Sequence, residues 1–215
     1  MALTLGQLWR YPVKSMAGQQ LAHATLTDLG VPGDRRIWVR GPEGVRTARR
    51  QYQLLGLRGT ISSEGEVLVN GHAWDSLAAG DLVRAAAGED AWLERAPMGH
   101  QFDILPLLVA TDGAVTAFGR DIRRLRPNLL INGVEGMAET TWEGAELEIG
   151  DAIIELDSLR GRCPMTTVDP DTITRDPAVL KDIGRRFGGK LALNAAVGRG
   201  GNITVGDPVT LHRRR

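Results

Sequence analysis

Internal disulfides are excluded, because the chain holds a single cysteine, Cys163. Whatever that residue does, it does as a thiol or a thiolate. Lysine is scarce too: Lys14, Lys181 and Lys190 are the only three, and arginine supplies the rest of the 26 basic residues. Those arginines offer planar, bidentate donors suited to carboxylate or phosphate. Excess charge of either sign is absent, since 26 acidic residues balance the basic ones. That balance argues against nucleic acid or an anionic membrane as the main partner. No long apolar run occurs; the greasiest, residues 104–110, contains Pro106 and is far too short to span a bilayer. The N-terminus has no basic region followed by an apolar stretch, so no signal peptide is read. One cysteine without an export signal points to the cytoplasm.

Several chemical signatures are missing as well. The four histidines, His23, His72, His100 and His212, lack ligand spacing, and there is no HExxH, paired CxxC or EF-hand loop. Zinc and calcium sites of the usual kinds are therefore not expected. No P-loop occurs and no GxGxxG follows a strand, which argues against nucleotide-binding modules. No GxSxG supports a serine hydrolase. Gly198-Arg-Gly-Gly201 superficially resembles a phosphate loop but reads better as a strand-to-strand hairpin.

What remains is a pattern of strands and turns. Leu3, Leu5, Trp9 and Tyr11 alternate along a first strand, with Gln7 breaking the series. Further strands are expected over residues 21–29, 37–40 and 66–69, the last reaching the hairpin dipeptide Asn70-Gly71. Gly-Asp-x-aliphatic occurs at Gly80, Gly150 and Gly206, and each occurrence reads as a turn opening a strand. Two helices are expected. One is capped by Asp112 over residues 113–125; the other opens at Asp176-Pro177 and stops before Gly188-Gly189. The class is α+β, β-rich, with barrel-like sheets. A composition break near residues 85–98 divides the chain into residues 1–95 and 96–215.

Chemistry concentrates around Cys163, which lies between Arg160-Gly-Arg162 and Pro164. Flanking cations favour a thiolate, suited to a nucleophile or to a soft metal. The bland alternative is a small buried thiol chosen for packing. Other polar stretches interrupt the sheet sequence: Tyr11-Pro-Val-Lys-Ser15, Gly33-Asp-Arg-Arg36, Thr47-Ala-Arg49, Arg126-Pro-Asn128 and Glu139-Thr-Thr-Trp142. Each has an ordinary reading as turn, ion pair or core anchor. Together they supply cations and donors beside one soft sulfur, a set that would hold a phosphorylated ligand carrying a soft metal.

In their order and spacing these stretches resemble the MOSC family, named after the C-terminal domain of molybdenum-cofactor sulfurases. Tyr11-Pro-Val-Lys-Ser15, Gly33-Asp-Arg-Arg36 and Thr47-Ala-Arg49 resemble the N-terminal β-barrel domain that precedes MOSC in many members. Arg126-Pro-Asn128, Glu139-x-x-Trp142, Arg162-Cys163, Thr166-Thr-Val-Asp-Pro170 and Val205-Gly-Asp207 resemble the MOSC domain. The resemblance implies a MOSC-type β-barrel behind an N-terminal β-barrel-like subdomain, and a molybdenum cofactor (Mo-molybdopterin). It makes Cys163 the metal ligand and catalytic residue, with Lys14, Ser15, Arg35, Thr111, Arg126, Asn128 and Arg162 binding the cofactor. Three departures stand out: Gly161 where relatives often have serine, Ile173 where glycine is common, and Asn194 where some have an aromatic residue.

The implied activity is reduction of small N-hydroxylated compounds. Without cysteines for an iron–sulfur cluster, the electrons would come from a separate flavin or iron–sulfur partner protein. The alternative is a carrier that holds persulfide sulfur on Cys163 or hands molybdopterin to other enzymes.

Overall fold

Alternating apolar residues make strands the dominant regular element of this chain, described by a computed structural model over residues 2–213. Through residue 95 the order is β1 (Thr4–Arg10), β2 (Gln19–Leu21), β3 (His23–Leu26), β4 (Ile37–Gly41), β5 (Gly44–Arg46), β6 (Gly59–Ile61), β7 (Val67–Val69), β8 (His72–Ala73), α1 (Leu77–Ala87) and β9 (Trp92–Arg95). The remainder runs β10 (Leu107–Thr111), α2 (Asp112–Phe118), β11 (Leu129–Asn132), β12 (Glu146–Ile149), β13 (Ala152–Gly161), α3 (Pro177–Phe187), β14 (Lys190–Arg199), β15 (Gly201–Thr204) and β16 (Val209–His212). The β-rich α+β class is as expected.

Eight strands form one sheet in the order β16-β12-β13-β14-β10-β11-β1-β2. The sheet curls back on itself: Val209 N donates to Leu3 O at 2.9 Å, and Thr4 bridges Pro208. The barrel so formed encloses Leu5, Leu8, Val109, Ile131, Ile154 and Leu193, all fully buried. A second apolar cluster, including Val13, Ile37, Leu54, Val69 and Val83, lies under the sheets β5-β4-β9 and β6-β7-β8 and under α1.

Three local expectations need correction. Gly80-Asp81 opens no strand, because it lies inside α1, which Ser76 caps by accepting from Ala79 N at 3.2 Å. Burying Ala79, Val83 and Ala87 on one face outweighs the turn propensity of glycine. The helix expected over residues 113–125 stops at Phe118, where Gly119 turns left-handed at φ +67. Its cap is Thr111, not Asp112. In β1 the pairing slips between Leu5 and Gln7, so Leu5 and Leu8 face the core where strict alternation put Leu5 and Trp9. The Asp176 cap and Gly188 stop of α3, the Asn70-Gly71 turn and the Gly150 and Gly206 turns lie where expected.

Candidate functional site

A cavity of about 430 Å³ collects residues from distant parts of the chain. Lys14 and Ser15 follow β1, Arg35 precedes β4, and Arg49 follows β5. Residues 102–105 come from the connection between β9 and β10, and Arg124, Arg126 and Asn128 from the approach to β11. Residues 160–163 close the set at the end of β13, opposite Asn194 of β14. The lining holds seven cations, Lys14, Arg35, Arg49, Arg124, Arg126, Arg160 and Arg162, against one carboxylate, Asp103. Such a chamber attracts anions strongly.

The segment carrying Cys163 is fixed by its own sequence. Preceding a proline, Cys163 is extended (φ −129, ψ 173), and Pro164 opens a 3-10 turn over Pro164–Thr167. Thr166 donates to Cys163 O through its amide at 3.1 Å and its hydroxyl at 2.9 Å. Arg124 clamps the turn, donating to Thr166 O at 3.3 Å and pairing with Asp169 at 2.8 Å. Met165 packs against the apolar cluster of the N-terminal part. The half-buried thiol is thus held by both parts of the molecule.

Burial lowers the pKa of both Arg126 and Arg162 to about 10. Arg126 lies over the Tyr11 ring at 4.3 Å, and Arg162 donates to Leu125 O at 2.7 Å. Arg162 Nε is buried with no partner, a donor left over for a ligand. Burial also raises the Tyr11 phenol, whose hydroxyl donates to Pro127 O at 3.0 Å. Arg35 pairs with buried Asp34 and lies 5.8 Å from the Phe102 ring.

Three of these residues sit in the left-handed region without being glycine: Ser15 (φ 73), Arg35 (φ 51) and Arg126 (φ 58). Each costs about 1–2 kcal/mol, and three around one cavity mark a place where surrounding structure over-determines the backbone. Ile173 (φ 55) adopts the same conformation that glycine would have taken, with Ile173 N donating to Asp169 O at 2.9 Å. The turn therefore survives that departure.

Not every expected residue reaches the chamber with a free group. Thr111 is fully buried outside the lining. It accepts from Ala114 N at 3.2 Å as the α2 cap and donates to Glu139 at 2.7 Å. Its expected role as a cofactor donor is therefore corrected to a structural one. Asn128 lines the cavity, but its amide hydrogens already go to Trp9 O at 3.3 Å and Asp34 at 3.1 Å, and its oxygen takes Leu108 N at 3.1 Å. It braces the wall more than it reaches inward. Asp103 and Arg124 escaped the sequence reading. Their signals were a lone acid ahead of the apolar run at 104–110 and the cluster Arg123-Arg124-x-Arg126.

Among the described residues no group of three or more His, Cys, Asp and Glu is placed to hold a metal. A metal at Cys163 must therefore arrive with its other ligands attached. The donor set fits such a group: one soft sulfur, an orphaned Arg162 Nε, and an anion-seeking chamber of adequate size for a cofactor.

Comparison with known proteins agrees. Human mitochondrial amidoxime-reducing component 1 is 26 % identical, across 97 % of this chain and 82 % of that protein. Macaca fascicularis mitochondrial amidoxime reducing component 2 is 32 % identical over 50 % of this chain and 37 % of that protein. Molybdenum cofactor sulfurase 2 of Culex quinquefasciatus is 30 % identical over 42 % of this chain and 12 % of its own length. The crystal structure of the YuaD protein from Bacillus subtilis shares the fold, with a TM-score of 0.57 at 14 % identity over 100 % of this chain and 98 % of that one. Residues 2–94 match the MOSC N-terminal beta barrel domain and residues 111–210 the MOSC domain. A barrel bearing one cationic, cysteine-tipped chamber, read with these matches, makes this chain a member of the MOSC family.

Proposed function

We propose that the protein binds a molybdenum cofactor through Cys163 and reduces small N-hydroxylated compounds with electrons from a separate partner protein. The observation that carries this reading is the lone thiol in a chamber of seven cations, without a further metal-ligand cluster among the described residues. When bound, the cofactor would supply two-electron redox chemistry at a metal carrying the Cys163 thiolate. Lys14, Arg35, Arg126 and Arg162 would hold its phosphate and pterin, with Ser15 contributing a hydroxyl. Asn128 would keep the wall in shape.

Reduction of an N–OH group consumes two electrons and two protons and releases the corresponding N–H compound (an amide from a hydroxamate, an amidine from an amidoxime) and water. The cations around the chamber stabilise negative charge on the group leaving nitrogen. In this reading a separate flavin or iron–sulfur protein would deliver the electrons. The amidoxime-reducing relatives support the reductive reading by name.

The deciding experiment is elemental mass spectrometry of protein made in a cofactor-competent host, beside Cys163→Ala. Near-stoichiometric molybdenum that disappears in the variant, together with loss of hydroxamate or amidoxime reduction, is the expected result. Molybdenum absent from both folded proteins overturns it. A labile extra sulfur on Cys163 would then favour a persulfide carrier, the role to which the sulfurase relative's name points.

A further inference from the structure

The connection between the two parts of the chain places Asp103 at the cavity, where three cations meet it. Arg49 Nη2 contacts Asp103 Oδ2 at 2.6 Å, and Arg160 Nη2 approaches the same oxygen at 3.7 Å. Lys14 takes the other oxygen at 2.6 Å. One carboxylate among three cations leaves the cluster with surplus positive charge. Arg160 is pre-oriented for a planar acceptor: its Nη1 donates to Asn194 Oδ1 at 3.0 Å. Asn194 is 3 % exposed and donates in turn to the carbonyl and hydroxyl of Ser158, both at 3.2 Å. Guanidiniums from opposite parts of the chain thus converge on one carboxylate oxygen, in the manner of a carboxylate-binding fork. At 3.7 Å the Arg160 contact is too long for a hydrogen bond, so its second Nη has room for another acceptor.

We propose that Arg49 and Arg160 form a subsite for a carboxylate carried by the substrate, with Asp103 as the internal anion that occupies it until substrate arrives. The inference deepens the reductive reading and rests on it for the word substrate. It makes the preferred N-hydroxylated compound one whose N–OH group lies at one end and a carboxylate at the other. Asp103 then sets selectivity: it weakens every carboxylate that must displace it and leaves uncharged ligands unaffected.

The test compares 4-carboxybenzohydroxamic acid with benzohydroxamic acid by titration calorimetry, on cofactor-free and cofactor-loaded protein. The carboxylated compound should bind about tenfold more tightly in both forms. Arg49→Gln and Arg160→Gln should each remove most of that preference, and Arg160→Lys should restore part of it. Asp103→Asn should increase the preference, because the internal competitor is gone. A merely structural Asp103 moves it the other way. Equal binding of the two compounds overturns the subsite, as does an Asp103→Asn variant that weakens the carboxylated one. A preference seen only without cofactor also overturns it, since the arginines would then serve the cofactor's phosphate. Turnover adds a separate readout: the kcat/KM ratio of the two compounds should fall in the arginine variants. Failure of the cofactor reading would appear as absent molybdenum, whereas calorimetry on the cofactor-free protein still reports on the arginines.

Discussion

Removing the Glu139 carboxylate should damage the fold far more than neutralising it. Glu139 is fully buried; Oε2 accepts from the Thr111 hydroxyl at 2.7 Å and Oε1 from Ala192 N at 2.9 Å. Glu139→Ala strands both donors, at about 1–3 kcal/mol each, partly offset by loss of a desolvated carboxyl. A net cost of about 3 kcal/mol is expected. For a chain of this length that lowers Tm by about 6–12 °C. Glu139→Gln keeps an acceptor for Ala192 N and should cost no more than about 1 kcal/mol.

The pH dependence separates the two further. Burial raises the Glu139 pKa above 4.5. The folded state therefore holds a proton that the unfolded state has released, and stability is lost as pH rises from about 4.5 through the folded value. Glu139→Gln has no such proton, so its stability relative to the parent should improve across that window. Calorimetric or circular-dichroism melts of the three proteins over a pH series give both comparisons. An alanine variant within about 1 kcal/mol of the parent, or a glutamine variant with the parent's pH slope, refutes the reasoning.

Gly80→Ala should stabilise the protein by about 0.5–1 kcal/mol, because Gly80 lies inside α1 and the new methyl would meet only the flexible end of Arg84 at 3.2 Å. A lower Tm would contradict that placement. Gly161→Ser should leave Tm unchanged, since nothing lies within 4 Å of the added Cβ. Its hydroxyl should raise the molybdenum retained on purification, read by elemental mass spectrometry. Pyrophosphate should raise Tm, because an anion relieves the desolvated Arg126 and Arg162 cations. At a hundredfold excess over Kd the gain is about 2.7 kcal/mol, and a Tm indifferent to pyrophosphate would refute anion binding there.

Local signals carried well in the sequence and distant contacts did not. Asp176-Pro177 and Gly188-Gly189 bracket α3 because cap, proline and left-handed glycine act within a turn of their own positions. Cys163, Lys14 and Arg126 stood out by residue type in short polar stretches, and all three line the cavity. Thr111 was misread because a hydroxyl serves a phosphate or a helix end equally well, and only its burial beside Glu139 decides. Gly80-Asp81 looked like a turn because the same dipeptide opens strands at Gly150 and Gly206, whereas here the Ser76 cap and the alanine-rich flanks carry α1 through it. Asp103 stayed hidden because its partners, Lys14, Arg49 and Arg160, are brought near it by folding alone.

β1 falls within the N-terminal match yet serves as a stave of the barrel, paired to β11 on one side and β2 on the other. Recombination at the connection near residue 100 would leave β11 with an unpaired edge and an opened core, a surface prone to sticking to other chains. The two halves therefore cannot be traded as independent cassettes. Any ancestor that exchanged one would have had to bring its own first strand, and a successful chimera in the laboratory must graft β1 with the barrel it closes.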